Sequence, residues 1–296
     1  MTGYRLDMTW LVCCMLASCF CSACGAETAL YVKGELLASE DFSGGLANWL
    51  PEGDVAARIE KGKLYFEATT KTNVKKGNIW WKKHFEGNIL IEYEYQSLSE
   101  NGLSMVFFMS DGRDGKDLFS YKRSGVYDEY IAGKMNGYHI SYHRFGSGVS
   151  NFRKSLGFHV VASAKEPIPA KDLNPHKITI HCQGRRVRFL VDGKVVHDFV
   201  DEGKPCLSKT RWKHQVPCRG TGPHFTAGKI GLRHTQKQRA YYDNFKVWRL
   251  VKPGGNASTG AGGGGATRST VATTLGNGSV KSHDLPVERV GASRRQ

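Results

Sequence analysis

Acidic residues are scarce in this chain. Asp and Glu number 27 against 42 Lys and Arg, a formal charge of +15 over 296 residues. That excess points away from a basic partner. It points toward an anionic one: nucleic acid, an anionic lipid surface or an acidic polysaccharide. Cysteine is sparse beyond residue 24, where only Cys182, Cys206 and Cys218 remain, with no CxxC spacing among them. A cysteine-built zinc site is therefore disfavoured. The sequence has no Gly-rich phosphate loop and no HExxH pair. It also lacks a recognisable nucleic-acid motif, which removes that partner from the anionic candidates. No long amphipathic helical pattern and no fixed-period repeat is present.

What is present begins with an apolar, small-residue run from Met8 to Cys24 behind a single basic residue, Arg5. The run is too short to span a bilayer comfortably and reads as an export signal over residues 1–25. Two processing points compete. One follows Gly25; the other precedes Cys19, after Leu16-Ala17-Ser18, and would leave Cys19 lipidated as an anchor. The expected location is exported: periplasm, cell surface or extracellular. No membrane-spanning segment is expected after signal removal. Of the three later cysteines, Cys206 and Cys218 bracket one loop and are the expected disulfide, with Cys182 a buried free thiol in a strand. From Pro253 to Gln296 there are ten glycines and no aromatic residue. That composition cannot offset its ordering entropy, so residues 253–296 read as a disordered tail.

Residues 36–250 read as all-β. "NILIEYEYQSL" alternates apolar and polar positions, and "LSMVFFMS" is apolar on both faces, as in a central strand. Asp192-Gly193 sits between the alternating runs "RRVRFLV" and "KVVHDFV" and predicts a hairpin. Many short antiparallel strands imply a sandwich or a barrel. Phe42 and Trp49, around a Gly-Gly turn, are expected core anchors. Of Trp80 and Trp81, one is expected in the core and the other on the surface beside Lys82 and Lys83.

Three segments, "EDFSGGLANW", "LVDGKVV" and "GKIGLRH…YYDNFKVW", together resemble a concanavalin A-like jelly-roll sandwich of two antiparallel sheets. That resemblance implies that the first and last strands pair and that one sheet curves into a groove. "GKDLFSYKRSGVYDEYIAGKMNGYHISYHRF" followed by "NFRKSLGFHVVAS" resembles an uncharacterised bacterial family found in gene clusters for rhamnogalacturonan and related polysaccharides. The likeness spans roughly Asp41 to Trp248 and implies a fold more firmly than a chemistry. "KPCLSKTRWKHQVPCRGTGPHF" looks like an insertion. In the family, positions matching Tyr138, Ile140 and Tyr142 are apolar or aromatic, and those of His139 and Ser141 are His and Ser. The first set is thus expected between the sheets. His139, Ser141 and His143 are expected in the groove.

The candidate chemistry clusters between Arg123 and His159. Lyase-type β-elimination on an acidic, uronate or sulfated polysaccharide needs cations against the carboxylate, a base and a proton donor. Asn151, Arg153 and Lys154 are candidates for the first, His139 for the base, and Tyr127 or Tyr142 for the donor; Glu129 is a further catalytic candidate. Ser141, His143 and His159 would complete substrate binding. Hydrolysis by paired carboxylates roughly 5 to 10 Å apart is disfavoured, because no E-x-D-x-x-E strand is present and Glu92 and Glu94 read as a solvent-facing pair. The alternatives are a non-catalytic glycan-binding, lectin-like module and a hydrolase with an atypical site. In the lectin reading Arg211, Trp212, Lys213 and His214 are further contacts. No metal ligand set stands out, although a structural Ca²⁺ is compatible with such a fold.

Overall fold

The computed structural model describes residues 31–69, 77–131, 133, 135–144, 148–155, 159–203, 224–235 and 238–253. The export signal, the Cys206–Cys218 pair, residues 211–214 and all but the first residue of the Gly-rich tail lie outside the described residues. The described residues belong to one compact unit, Met1–Ala257. They form sixteen strands: β1 (Val32–Glu40), β2 (Trp49–Glu52), β3 (Val55–Glu60), β4 (Lys63–Ala68), β5 (Gly77–Trp81), β6 (Phe85–Glu86), β7 (Ile89–Ser97), β8 (Leu103–Gly112), β9 (Met135–Tyr142), β10 (Val149–Ser155), β11 (His159–Lys165), β12 (Pro175–Gln183), β13 (Arg186–Val191), β14 (Lys194–Val200), β15 (Ala227–Thr235) and β16 (Arg239–Val251). A 3-10 turn (Leu118–Ser120) and one short helix, α1 (Asp128–Ile131), lie between β8 and β9.

The strands make two antiparallel sheets. The first runs β14-β13-β12-β7-β16-β4-β3, with β1 also on β16. The second runs β11-β10-β9-β8-β15-β5-β2, with β6 also on β15. This is the jelly-roll sandwich that the resemblance implied, and of the sandwich or barrel allowed by the strand pattern it is the former. The first and last strands pair from Val32↔Val251 to Glu40↔Phe245. Asp192 and Gly193 take φ of 50° and 76° between β13 and β14. These left-handed angles are the ones a two-residue hairpin turn requires.

The inner faces share one core. Trp49 stacks on Trp81 at 5.4 Å, and Phe245 closes on Trp49 at 5.2 Å and on Tyr93 at 4.6 Å. Both Trp80 and Trp81 are buried. Trp81 enters the core as expected. The surface expectation for its neighbour fails, because residues between β8 and β9 fold over Trp80. The core is also rich in tyrosine, and its hydroxyls find partners. Tyr93 bonds Tyr142 at 3.0 Å, Tyr95 bonds Ser104 at 2.9 Å, and Tyr242 bonds His234 at 2.7 Å. Cys182 is a buried free thiol. Glu92 is not the solvent-facing residue the alternation suggested: it is 8% exposed and gripped by Lys33 at 2.6 Å and Lys177 at 2.8 Å.

Candidate functional site

Alternation on the second sheet decides which side chains face outward. Ile79, Leu232, Val106, Ile140 and Phe152 are paired neighbours across β5, β15, β8, β9 and β10, and all sit in the inner core. The rows on either side of them must face out. One is Trp80, Gly231, Phe107, His139 and Arg153; the other is Asn78, Arg233, Met105, Ser141 and Asn151, continuing to Ser163 on β11. Gly231 leaves room for a ring. A Cβ built there would meet Trp80 ring carbons at 2.4–2.9 Å, so Trp80 lies across the sheet toward Phe107.

Residues 113–131 cover part of this face. Leu118 and Tyr130 pack with Trp80, Met105, Phe107 and Met135 in a second apolar cluster. Arg123 ties the cover down. It donates to both carboxylate oxygens of Glu52 on β2 and, at 2.8 Å, to the Leu118 carbonyl. The Tyr130 hydroxyl donates to the same carboxylate.

The cover brings Tyr127 onto His139, with hydroxyl and Nε2 3.1 Å apart. His139 is 1% exposed and stacks on Phe107 at 4.8 Å. Its Nδ1 has no protein partner. Burial, reinforced by Arg153 and Arg233, holds its pKa well below the usual imidazole range. The ring is therefore neutral at physiological pH. Burial pushes the Tyr127 phenol up to about 12, while Arg153, Arg233 and Arg144 pull it back down. Tyr127 thus keeps its proton and faces three guanidinium groups. Arg233 lies fully buried beneath, 5.1 Å from the Tyr127 ring centre and 4.8 Å from that of Tyr130. It donates to Asn78 Oδ1 at 2.8 Å and to the Gly125 carbonyl at 3.1 Å.

The structure unites some sequence candidates and separates others. His139, Ser141, Asn151 and Arg153 share the outer face, with Tyr127 over them. His139 is covered, so it reaches the surface only through Tyr127. The Ser141 hydroxyl is engaged with the Asn151 backbone, accepting from its N–H at 3.1 Å. Asn151 Oδ1 accepts from Ser163 at 2.8 Å. Glu129 accepts from the Ser124 N–H at 2.8 Å and from its hydroxyl at 3.1 Å, which makes it a loop fastener rather than a partner of Arg123.

Two candidates are corrected. His143 takes φ 48°, which ends the alternation and turns its ring inward. There Nε2–H donates to the Ala170 carbonyl at 3.1 Å, so Nδ1 accepts from the Tyr95 hydroxyl at 2.7 Å. Lys154 follows Arg153 on a strand and so must face the other way. Its ammonium is buried, 2.6 Å from Asp201, whose same oxygen accepts from Tyr138 at 2.6 Å. The strand position of His159 is seen, but its side chain lies outside the described residues. Among the described residues, no group of three or more His, Cys, Asp or Glu is placed to hold a metal. No helix there is long and apolar enough to cross a membrane.

Arg233 was overlooked in the sequence. "GKIGLRH" reads as a strand, but Gly231, Arg233 and Thr235 alternate against Ile230, Leu232 and His234. An arginine on the face opposite an apolar row was the available signal.

Comparison with known proteins adds the following. A family model described as "Domain of unknown function (DUF1961)" matches residues 31–247. The uncharacterized protein YesU of Bacillus subtilis (strain 168) is 30% identical over 184 residues, covering 58% of this chain and 77% of that protein. A solved structure from Bacillus subtilis, of a protein of unknown function with a galectin-like fold, aligns with a TM-score of 0.65 and 26% identity. It covers 75% of this chain and 100% of its own. The carbohydrate-binding module CBM66 from Bacillus subtilis aligns at a TM-score of 0.44 and 17% identity, over 69% of this chain and 96% of that one. That likeness is too remote to bear on function.

Proposed function

The chain belongs to the DUF1961 family, and from its fold and its outer face we propose that it binds an acidic glycan across the second sheet, at Tyr127 and Arg153. One observation carries the reading. The half-buried Tyr127 ring covers His139, and its protonated phenol lies within the field of Arg144, Arg153 and Arg233. An aromatic ring stacks on a sugar face, and guanidinium groups take a carboxylate or sulfate in charge-assisted pairs. Three nearby carboxylates are engaged elsewhere, Glu52 with Arg123, Glu129 with Ser124, and Glu166 with the His143 and Arg144 N–H groups, while Asp128 acts on the Tyr127 phenol through space. The galectin-like relative and the basic composition agree with this reading. Export to the cell surface or beyond, with or without a lipid at Cys19, fits a polymer met outside the cell, and the rhamnogalacturonan class is one source of uronate.

The test is calorimetric titration with uronate oligosaccharides and neutral ones of equal length. Uronate binding that falls with salt and weakens at least tenfold in Arg153→Ala is expected. Equal affinity for neutral sugars, or undiminished binding in Arg153→Ala, would sink the reading.

Elimination is the second reading, favoured by the Tyr127–His139 pair. Tyr127 would take the proton beside the carboxylate as its own passes to His139 Nε2, hand that proton to the leaving sugar oxygen as the C–O bond breaks, and recover its own from His139, with the arginines stabilising the charge on the carboxylate. His139 is a weak base, being buried and flanked by cations. Incubation with uronate polymers should then give unsaturated products that absorb in the ultraviolet. New reducing ends without that absorbance indicate hydrolysis. Binding without either product indicates a glycan-binding module.

A further inference from the structure

Burying a charge is expensive unless an opposite charge is bonded to it. Arg233 is fully buried, yet the groups it bonds are neutral: Asn78, the Gly125 carbonyl and the Tyr130 side chain. Its Nε has no partner. The Glu52 carboxylate is bonded to Arg123 and Tyr130, and it reaches Arg233 through space and through the shared Tyr130 side chain rather than by a direct pair. Core packing alone would be served as well by an apolar residue. The cation lies under the two tyrosine rings of the cover, and one of its bonds holds Gly125, two residues before Tyr127.

We infer that Arg233 is a positioning residue for the ligand-facing Tyr127: its buried guanidinium fixes the loop that carries Tyr127 and, with Arg153, keeps a third positive charge off His139, so that the imidazole Nε2 stays an acceptor for the phenol. The groups around His139 are few. Phe107 stacks from β8, Tyr127 covers it, Arg153 flanks it on β10, and Arg233 lies on β15. No carboxylate bonds the imidazole; its Nδ1 has no partner and its Nε2 meets Tyr127. Protonating it would place a third cation in this cluster and convert Nε2 to a donor. The ring is neutral for lack of solvent and because two arginines already occupy its surroundings. The inference rests on the proposed role of Tyr127 in ligand contact, but its core test needs no glycan.

The test is NMR titration of isotope-labelled histidine and tyrosine in the wild-type chain, R233M and R233K. In the wild type, the His139 imidazole should stay neutral well below the ordinary range. In R233M its titration should move measurably up, because one of the two cations that oppose its protonation is gone while burial and Arg153 remain. R233K keeps the charge and should leave the imidazole near its wild-type behaviour. Affinity for a uronate oligosaccharide should fall at least threefold in R233M and become pH-dependent near the new imidazole transition. An unchanged His139 titration in folded R233M would overturn the inference. Should R233M not fold, R233K decides: an imidazole that titrates in the ordinary range although the charge is kept would overturn it equally. Titrations that behave as expected without any uronate binding would sink the glycan reading and leave the electrostatic role of Arg233 standing.

Discussion

Lys154→Met separates a ligand-binding lysine from a structural one. The ammonium and the Asp201 carboxylate are each 1% exposed at the side chain and lie 2.6 Å apart. Asp201 also accepts from the Tyr138 hydroxyl at 2.6 Å and, through its other oxygen, from the Gly203 N–H at 3.0 Å. Removing the lysine leaves a buried carboxylate whose remaining partners are neutral donors. Breaking such a pair from one side costs about 3–5 kcal/mol, because the orphaned charge loses its counter-ion without regaining water. For a domain of this size that corresponds to a fall in melting temperature of about 6–20 °C. The double variant Lys154→Met with Asp201→Asn removes the orphaned charge and should recover a substantial part of the loss. Thermal melts followed by circular dichroism, with urea midpoints as a check, measure both. A Lys154→Met protein that melts within about 2 °C of the wild type while losing affinity for a uronate oligosaccharide would refute the reasoning and return Lys154 to the ligand.

Two further perturbations test the packing. Burial lowers His197 to about 4 and His234 to about 3, so both stay neutral in the fold and charge only on unfolding. Their contribution is fully present above the ordinary imidazole value near 6.5 and is lost as pH falls toward those values, by about 1.4 kcal/mol per pH unit for each; urea midpoints at successive pH values should show a fall at least that steep, since His139 is also held neutral by burial, and His197→Gln should remove one imidazole's share of it. Gly231→Ala places a methyl 2.4–2.9 Å from Trp80 ring carbons and should cost about 1–3 kcal/mol with a shift in tryptophan fluorescence; an unchanged midpoint would show that Trp80 does not lie across the glycine.

The fold was legible because its signals are local and periodic. Alternation split Tyr138, Ile140 and Tyr142 from His139 and Ser141, the family resemblance put the first set inside, and the Asp192-Gly193 turn announced its hairpin. The site was less legible, for three physical reasons. A single left-handed residue, His143, cancels the alternation where a strand ends, and nothing in its side chain declares that angle. Lys154 was grouped with Arg153 by adjacency in sequence, although adjacency on a strand places side chains on opposite faces. The covering of His139 by residues 113–131 is a tertiary event, made by Arg123 reaching Glu52 across 71 positions of sequence. Pattern reading of the strand alone could not show that its outer face was roofed.

That roof changes what the site can be. An exposed imidazole on a groove floor would be a ready base. A covered, neutral one makes Tyr127 the contact and itself the support behind it. The arrangement concentrates positive charge where three of the nearby acids are already engaged. Glu52 fastens the roof to β2, and Glu129 fastens the loop within it. Glu166, raised to about 7 by burial, accepts the His143 and Arg144 N–H groups. Each acid therefore serves to shape the surface that presents Arg144, Arg153 and Tyr127. In the proposed reading an anion arriving from solvent would meet the partly buried Arg153 beside Tyr127. For that reason the geometry favours recognition of an acidic polymer first. Any bond-breaking step would have to work through the phenol of Tyr127.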